Sequence, residues 1–172
     1  IKAPRNSPRH EVVEIRDVLP TFIDVANISL TANQTSEIDG SSLLVLLDGN
    51  AFSNSSWRKW VDLEYASCGF NNSMNWNALT DGKIKYIHSL YDGTEFLFDL
   101  ENDPYEKRNL AAMVTWNSTL HQWRQRLVTQ FEDEGRNSYY LDGSDLATIG
   151  EKCWETKYMG GYPCGTKQCS NY

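Results

Sequence analysis

Two Asp-Gly dipeptides, each placed between apolar stretches, constrain the fold of this chain more than any other feature. Asp81-Gly82 separates residues 76–80 from 83–90, and Asp92-Gly93 separates that second stretch from 95–100. Asp-Gly favours tight hairpin turns because both residues tolerate positive φ. The pattern predicts three consecutive antiparallel strands, and residues 60–66 are expected to form another.

The apolar pattern also predicts the register of these hairpins. A two-residue loop at Asp81-Gly82 would place Leu79 opposite Ile84. At the second hairpin, a three-residue loop ending at a left-handed Gly93 would pair Tyr86 with Phe98. We prefer it to a two-residue loop, because a slip of one residue would move the phenylalanines to the other face. The predicted apolar face carries Leu79, Ile84, Tyr86, Phe96, Phe98 and Leu100, and the opposite face carries Lys83, Lys85, Ile87 and Leu97.

Helices are expected before and after the strands in the sequence. Asp17 is a candidate cap for a helix over 17–27, which would end at a left-handed Asn27, and a short helix is expected over 41–48. A longer helix over about 114–133 is predicted from an apolar stripe with spacings of four, three, four and four. This stripe, which should pack on the apolar face of the sheet, consists of Trp116, Leu120, Trp123, Leu127 and Phe131. Asp103-Pro104, followed by Glu106, predicts a further helix start.

Asparagine and cysteine patterns predict passage through the secretory pathway. Five Asn-x-Ser/Thr glycosylation acceptors occur in 172 residues: Asn27, Asn33, Asn54, Asn71 and Asn117. The even number of cysteines predicts two disulfides among Cys68, Cys153, Cys164 and Cys169, with three pairings open. A zinc site would need closer Cys-x-x-Cys spacing or histidine partners.

Charge and hydropathy exclude two classes of function. A net charge of −7 argues against nucleic-acid binding, which needs a basic face. The longest apolar run, 43–47, is too short to cross a bilayer. Because the first residues contain neither an initiator Met nor an apolar signal region, we expect the chain to begin inside a longer protein.

Four segments resemble, in order, the C-terminal part of the sulfatase family. They are Asp17–Ala26 (Asp-x-x-Pro-Thr-x-x-Asp-x-Ala), Asp39–Leu47 (Gly-x-Ser-Leu-x-Pro-x-Leu), Leu79–Ile87 (Thr-Asp-Gly-x-x-Lys-Tyr) and Phe98–Leu110 (Phe-Asp-Leu-x-x-Asp-Pro-x-Glu-x-x-Asn-Leu). Val45 stands where the family has Pro, and Asn27 where it has Gly. The segment between Pro4 and Glu11 is shorter than in the family.

The resemblance implies an α/β fold: the C-terminal subdomain of the sulfatase fold, a small antiparallel sheet packed by a long helix. It divides the chain into the end of the sulfatase core (1–50), the sheet-plus-helix subdomain (51–137) and a tail held by disulfides (138–172). The partner would be the N-terminal catalytic part, which in the family supplies a formylglycine nucleophile and a calcium site. No Cys here has Pro two residues later, so this chain is expected to be inactive alone, to bind no metal, and to leave catalysis to the parent enzyme.

Five residues are candidates for contact with a sulfated small molecule or glycan. Lys83 and Lys85 could meet a sulfate as point charges, although solvated lysines on a sheet are the alternative. His88 could line a pocket or merely end a strand. Glu64 and Tyr65 follow the position where the family chain re-approaches its cleft.

Two other functions stay open. One is phosphodiester or phosphonate hydrolysis within the same superfamily, which these motifs discriminate poorly. The other is a secreted glycan-binding module without enzymatic activity. The expected location is secreted, extracellular or lysosomal in each case.

Overall fold

A computed structural model describes residues 9–47, 57–65, 75–136 and 140–148. All four cysteines, Asn54 and Asn71 lie outside these residues, as does most of the proposed tail, so the disulfide-held tail stays a prediction. The chain divides into two compact units, Ile1–Val61 and Asp62–Tyr172. The predicted boundaries at 50 and 137 are otherwise untested.

Among its described residues, the first unit contains three α-helices: α1 (Val18–Val25), α2 (Ala32–Ser36) and α3 (Leu44–Leu47). A 3₁₀ turn, Ile15–Asp17, leads into α1. After α1, Asn27 has a φ of 51°, which confirms the left-handed residue expected at the end of the helix. The predicted helices over 17–27 and 41–48 are therefore present in shorter form.

Asp17 precedes α1 but does not cap it as predicted, because its side chain makes no cap hydrogen bond there. The carboxylate is fully buried instead. It accepts hydrogen bonds from the backbone N–H groups of Glu14 at 2.8 Å and Ser41 at 2.9 Å. The guanidinium group of Arg58 donates to both carboxylate oxygens, at 2.5 and 2.6 Å. Asp17 thus ties three parts of the first unit together.

Gly40 explains how the chain reaches this carboxylate. A Cβ at Gly40 would lie 1.9 Å from the carbonyl oxygen of Arg16, which is closer than any side chain tolerates. Only glycine allows the Asp39–Ser41 segment to lie directly against the start of α1.

The second unit contains a four-stranded sheet in the order β1-β2-β3-β4. The strands are β1 (Val61–Tyr65), β2 (Trp76–Thr80), β3 (Ile84–Ser89) and β4 (Glu95–Asp99). Helix α4 (Asn117–Asp133) contacts β2 and β3, and a two-residue hairpin, β5 (Leu141–Asp142) and β6 (Asp145–Leu146), follows. We call the side of the sheet that α4 covers the inner face, and the other side the outer face.

The apolar stripe of α4 packs inward as predicted. Its buried residues are Leu120, Trp123, Leu127, Val128 and Phe131. Trp116, from the predicted stripe, is only partly buried in the preceding 3₁₀ turn. A small antiparallel sheet packed by a long helix is therefore confirmed.

The register of the first hairpin differs from the prediction by two residues. Leu79 lies opposite Tyr86, not Ile84. The loop is wider because the Asp81 carboxylate accepts the N–H groups of Lys83 at 2.9 Å and Ile84 at 2.8 Å. A shift of two residues leaves each side chain on its predicted face.

The second hairpin differs by one residue, so the predicted faces of β4 were wrong. Tyr86 lies opposite Leu97, and Lys85 lies opposite Phe98. The loop spans four residues, closed by a bond from Ser89 N–H to the Thr94 carbonyl at 2.9 Å. The prediction assumed one apolar face, whereas Leu97 is buried on the inner face and Phe96 and Phe98 stack on the outer face.

The helix start predicted at Asp103-Pro104 was also wrong. Asp103 closes a turn in which Glu106 N–H reaches its carbonyl at 3.0 Å and Glu106 takes a φ of 54°. The chain is then held along β4. Asn109 accepts the N–H of Leu97 at 3.0 Å through its side-chain oxygen, and Leu110 N–H donates to the Leu97 carbonyl at 2.8 Å. These bonds to a neighbouring strand compete with helix formation.

Candidate functional site

The structure distributes the five candidate site residues over both faces of the sheet rather than into one cluster. Lys83 lies in the first hairpin loop and is exposed. Its Nζ is 2.9 Å from Glu101, which raises the pKa of the ammonium group. A lysine paired in this way offers a sulfate no concentrated positive charge.

Lys85 points to the outer face, as expected, and its charge is balanced there. Its Nζ donates to both carboxylate oxygens of Glu106, at 3.0 and 2.9 Å. The pair links two motifs of the family resemblance, the hairpin and the Asp-Pro-x-Glu turn. This geometry accounts for Lys85 as a structural residue, and a substrate role stays a prediction.

His88 is buried on the inner face, with 4 % of its surface exposed. Burial lowers its pKa, and the nearby carboxylate of Glu95 opposes that shift. Nδ1 of His88 and Oδ1 of Asn77, its cross-strand partner, have no hydrogen-bond partner among the described residues. His88 is thus part of a buried polar layer between the sheet and α4, away from the outer face.

A strong ion pair anchors this layer. Arg124 of α4 donates to both carboxylate oxygens of Glu95, with Nε at 2.7 Å. The hydroxyl of Tyr86 also donates to Glu95, at 2.6 Å. Burial would raise the pKa of Glu95, but these donors outweigh it and lower the pKa. The network joins α4 to β3 and β4 and explains the Tyr of the Thr-Asp-Gly-x-x-Lys-Tyr motif.

Glu64 points toward the inner face, and its carboxylate already forms an ion pair. Arg136, just after α4, binds Glu64 at 2.6 Å and Asp62 at 3.0 Å, and it lies over the rings of Phe131 and Tyr140. Tyr65 points the other way and stacks on Trp76, with ring centroids 6.1 Å apart. Of the five candidates, Lys85 and Tyr65 are therefore associated with the outer face of the strands.

A pocket of about 450 Å³ opens on the outer face. Residues from β2, β3, β4 and three non-strand segments line it: Asn75, Trp76, Ile87, Ser89, Asp92, Thr94, Phe96, Phe98 and Glu106. None of the five candidates is in this lining. The consecutive apolar residues Phe96, Leu97 and Phe98 put apolar side chains on both faces of β4, and this pattern could have indicated an apolar site on the outer face.

Two kinds of site are not found in the part of the chain described here. Within residues 9–47, 57–65, 75–136 and 140–148, no group of three or more His, Cys, Asp or Glu could hold a metal ion. No helix of these segments is long and apolar enough to cross a membrane.

Comparison with known proteins agrees with this geometry. Residues 2–133 match the family model "N-sulphoglucosamine sulphohydrolase, C-terminal". An arylsulfatase of Clostridium perfringens is 30% identical over 96% of this chain and 29% of its own length. Arylsulfatase K of Mus musculus is 38% identical over 65% of this chain and 20% of its own length. The solved structure of the 2-O glycosaminoglycan sulfatase BT1596 covers 73% of this chain and 26% of its own, with 27% identity and a TM-score of 0.59.

The chain spans less than a third of the length of the curated relatives that it matches. The match includes all four segments on which the resemblance was based, together with the sheet and α4. The chain therefore belongs to the sulphohydrolase C-terminal family and corresponds to the C-terminal portion of a sulfatase.

Proposed function

We propose that this chain is the C-terminal part of a secreted sulfuric ester hydrolase, where it closes the catalytic cleft and shapes the choice of substrate. The family match over residues 2–133 carries the proposal. No cysteine here is followed by Pro two residues later, and Cys/Ser-x-Pro-Ser-Arg is absent from the sequence. Formylglycine and calcium would belong to an upstream part of the parent enzyme.

Exposed apolar residues in the first unit support a larger parent. Helix α1 buries none of its residues. Leu19 is 59% exposed, Phe22 65% and Val25 64%. A helix with several large apolar side chains in water usually has a partner surface, because contiguous apolar patches are rare on soluble monomers.

The substrate side of the proposal rests on the relatives. The C. perfringens and mouse proteins carry the name arylsulfatase, and BT1596 is a glycosaminoglycan sulfatase. A sulfated small molecule or glycan is the substrate class that this suggests. Lys83, Lys85, Glu64, Tyr65 and His88 remain the proposed substrate contacts, but they lie on both faces of the sheet and His88 is buried, so one substrate would not touch all five.

Secretion is proposed from the glycosylation acceptors. Three of the five lie in described segments, Asn27, Asn33 and Asn117, and all three are exposed. Glycopeptide mass spectrometry of the protein from a eukaryotic host should find sugar on at least one of them. Bare asparagines at all three would remove this support.

The decisive experiment compares the parent enzyme with this chain. The parent should release sulfate from an aryl sulfate in the presence of calcium, and the isolated chain should not. Replacing the parent's formylglycine precursor by Ala is the matched control and should abolish turnover. Faster turnover of an aryl phosphonate than of the sulfate would favour the phosphonate hydrolase alternative.

The remaining alternative is a binding module without catalysis. It predicts that the isolated chain folds as a clean monomer and binds sulfated glycans by itself. Aggregation of the isolated chain, relieved when Phe22 is replaced by Ser, would instead support a missing partner surface. Unaltered aggregation of that variant would count against α1 as the partner surface.

A further inference from the structure

The outer-face pocket has an aromatic wall. Trp76 enters from β2, and Phe96 and Phe98 enter from β4, their two rings stacked with centroids 6.4 Å apart. Ile87 completes the apolar part. Aromatic faces carry partial negative charge and attract cations, most strongly when the cation loses part of its water.

Both ionisable side chains in the lining are acids. Glu106 shares its charge with Lys85 at 2.9 Å. Asp92 differs, because none of the ion pairs among the described residues includes it. Ser89 and Thr94, both neutral, donate to its carboxylate, and they bring the pKa of Asp92 down to about 2.

The pocket therefore combines aromatic rings with an ionised, exposed carboxylate whose hydrogen-bond donors, Ser89 and Thr94, are neutral. A sulfate or another anion would be repelled by Asp92. A neutral apolar group would fill the aromatic wall but would bring no counter-charge to Asp92. An ammonium group satisfies both features, through an ion pair with Asp92 and a cation–π contact with Trp76 or Phe96.

We propose that the outer-face pocket binds the ammonium end of a small organic cation, with Asp92 as the charge partner and Trp76 as the aromatic partner. This proposal goes beyond the function proposed above. It could receive the cationic part of a substrate or a separate ligand. In both cases, the recognised chemistry is an alkylated ammonium.

The test is calorimetric titration of the complete parent protein with tetramethylammonium chloride, with tert-butanol as a neutral probe of similar size. We expect saturable binding of the cation and none of the alcohol. Asp92→Asn keeps an acceptor for the Thr94 N–H and should weaken binding about fivefold, as should Trp76→Leu. Asp142→Asn removes an exposed carboxylate outside the pocket and should leave affinity unchanged.

Three results would overturn the proposal. They are equal binding of the alcohol and the cation, no binding of the cation at all, and an Asp92→Asn variant that binds like the unmodified protein. Aryl sulfate turnover is measured on the same samples. Cation binding by an unmodified parent that shows no turnover would contradict the proposed function and leave the pocket assignment standing.

Discussion

Lys85 lies directly opposite Phe98 across the β3–β4 ladder, while its ammonium group is held 2.9 Å from Glu106 in the following turn. The long side chain thus lies along the outer face and links β3 to the turn that contains Glu106. Its side chain is 21% exposed and that of Glu106 34%. The pair is more protected than a surface salt bridge, although water still reaches it.

Lys85→Ala should therefore destabilise the protein by about 1 kcal/mol, toward the upper end for partly exposed ion pairs. A urea unfolding series with Lys85→Ala, Glu106→Ala and the double variant measures the coupling. We expect coupling of about 0.5–1 kcal/mol. Additive effects would mean that the pair contributes nothing. Kinetics on a small aryl sulfate should stay unchanged, and a higher KM for a larger substrate alone would give Lys85 a substrate role.

Tyr86 should be far more sensitive, because it is completely buried and donates a 2.6 Å hydrogen bond to Glu95. Tyr86→Ala should cost about 3–5 kcal/mol, as for other large buried rings. Tyr86→Phe keeps the ring and should cost about 1–2 kcal/mol for the lost donor. Tyr105 is 79% exposed, so Tyr105→Phe is the matched control and should change the free energy of unfolding by less than about 0.5 kcal/mol. Equal effects of both phenylalanine changes would contradict the network.

Gly40→Ala should disrupt the first unit, because the new Cβ would lie 1.9 Å from a backbone oxygen that cannot move as a side chain does. We expect a loss of about 3 kcal/mol. Gly135→Ala is the comparison, since nothing lies within 4 Å of its Cβ position and only its φ of 67° opposes the substitution. Its cost should be about 1 kcal/mol. Thermal unfolding distinguishes the two, and a milder Gly40 variant would refute the close approach.

His88 should make stability depend on pH. Burial lowers its folded pKa below the usual value, so the unfolded chain takes up the proton more readily. The contribution of His88 is complete above the unfolded pKa, about 6.5, and is lost as pH falls through the folded pKa. Glu95, Arg124, Asp92 and Asp145 add to the electrostatic balance there. Unfolding free energies at pH 7.5 and pH 5 should differ less in His88→Gln than in the unmodified protein. The exposed His121→Gln should behave as wild type.

The sequence was most informative where local chemistry determines the structure. The positions of the Asp-Gly turns, the α4 stripe and the left-handed Asn27 depend on neighbouring residues and were predicted, whereas the loop lengths of both hairpins were not. The register of β4 was predicted wrongly. Phe96 and Leu97 are both apolar, so hydropathy alone does not show which of them faces α4. Arg58 was missed as well, since its partner Asp17 is 41 positions away. No candidate in the outer-face pocket was identified, because the wrong register of β4 placed Phe96 and Phe98 on the inner face.

The bonds around Asn109 have a consequence for association between molecules. β4 is the last strand of the sheet, and an open last strand invites another chain to add to it. The side chain of Asn109 accepts the N–H of Leu97 and donates to the Glu95 carbonyl at 3.2 Å. The backbone N–H of Leu110 donates to the Leu97 carbonyl. An amide side chain thus imitates a neighbouring strand for one residue pair. Asn109 and Leu110 thereby occupy backbone groups of β4 that an added strand would need for pairing.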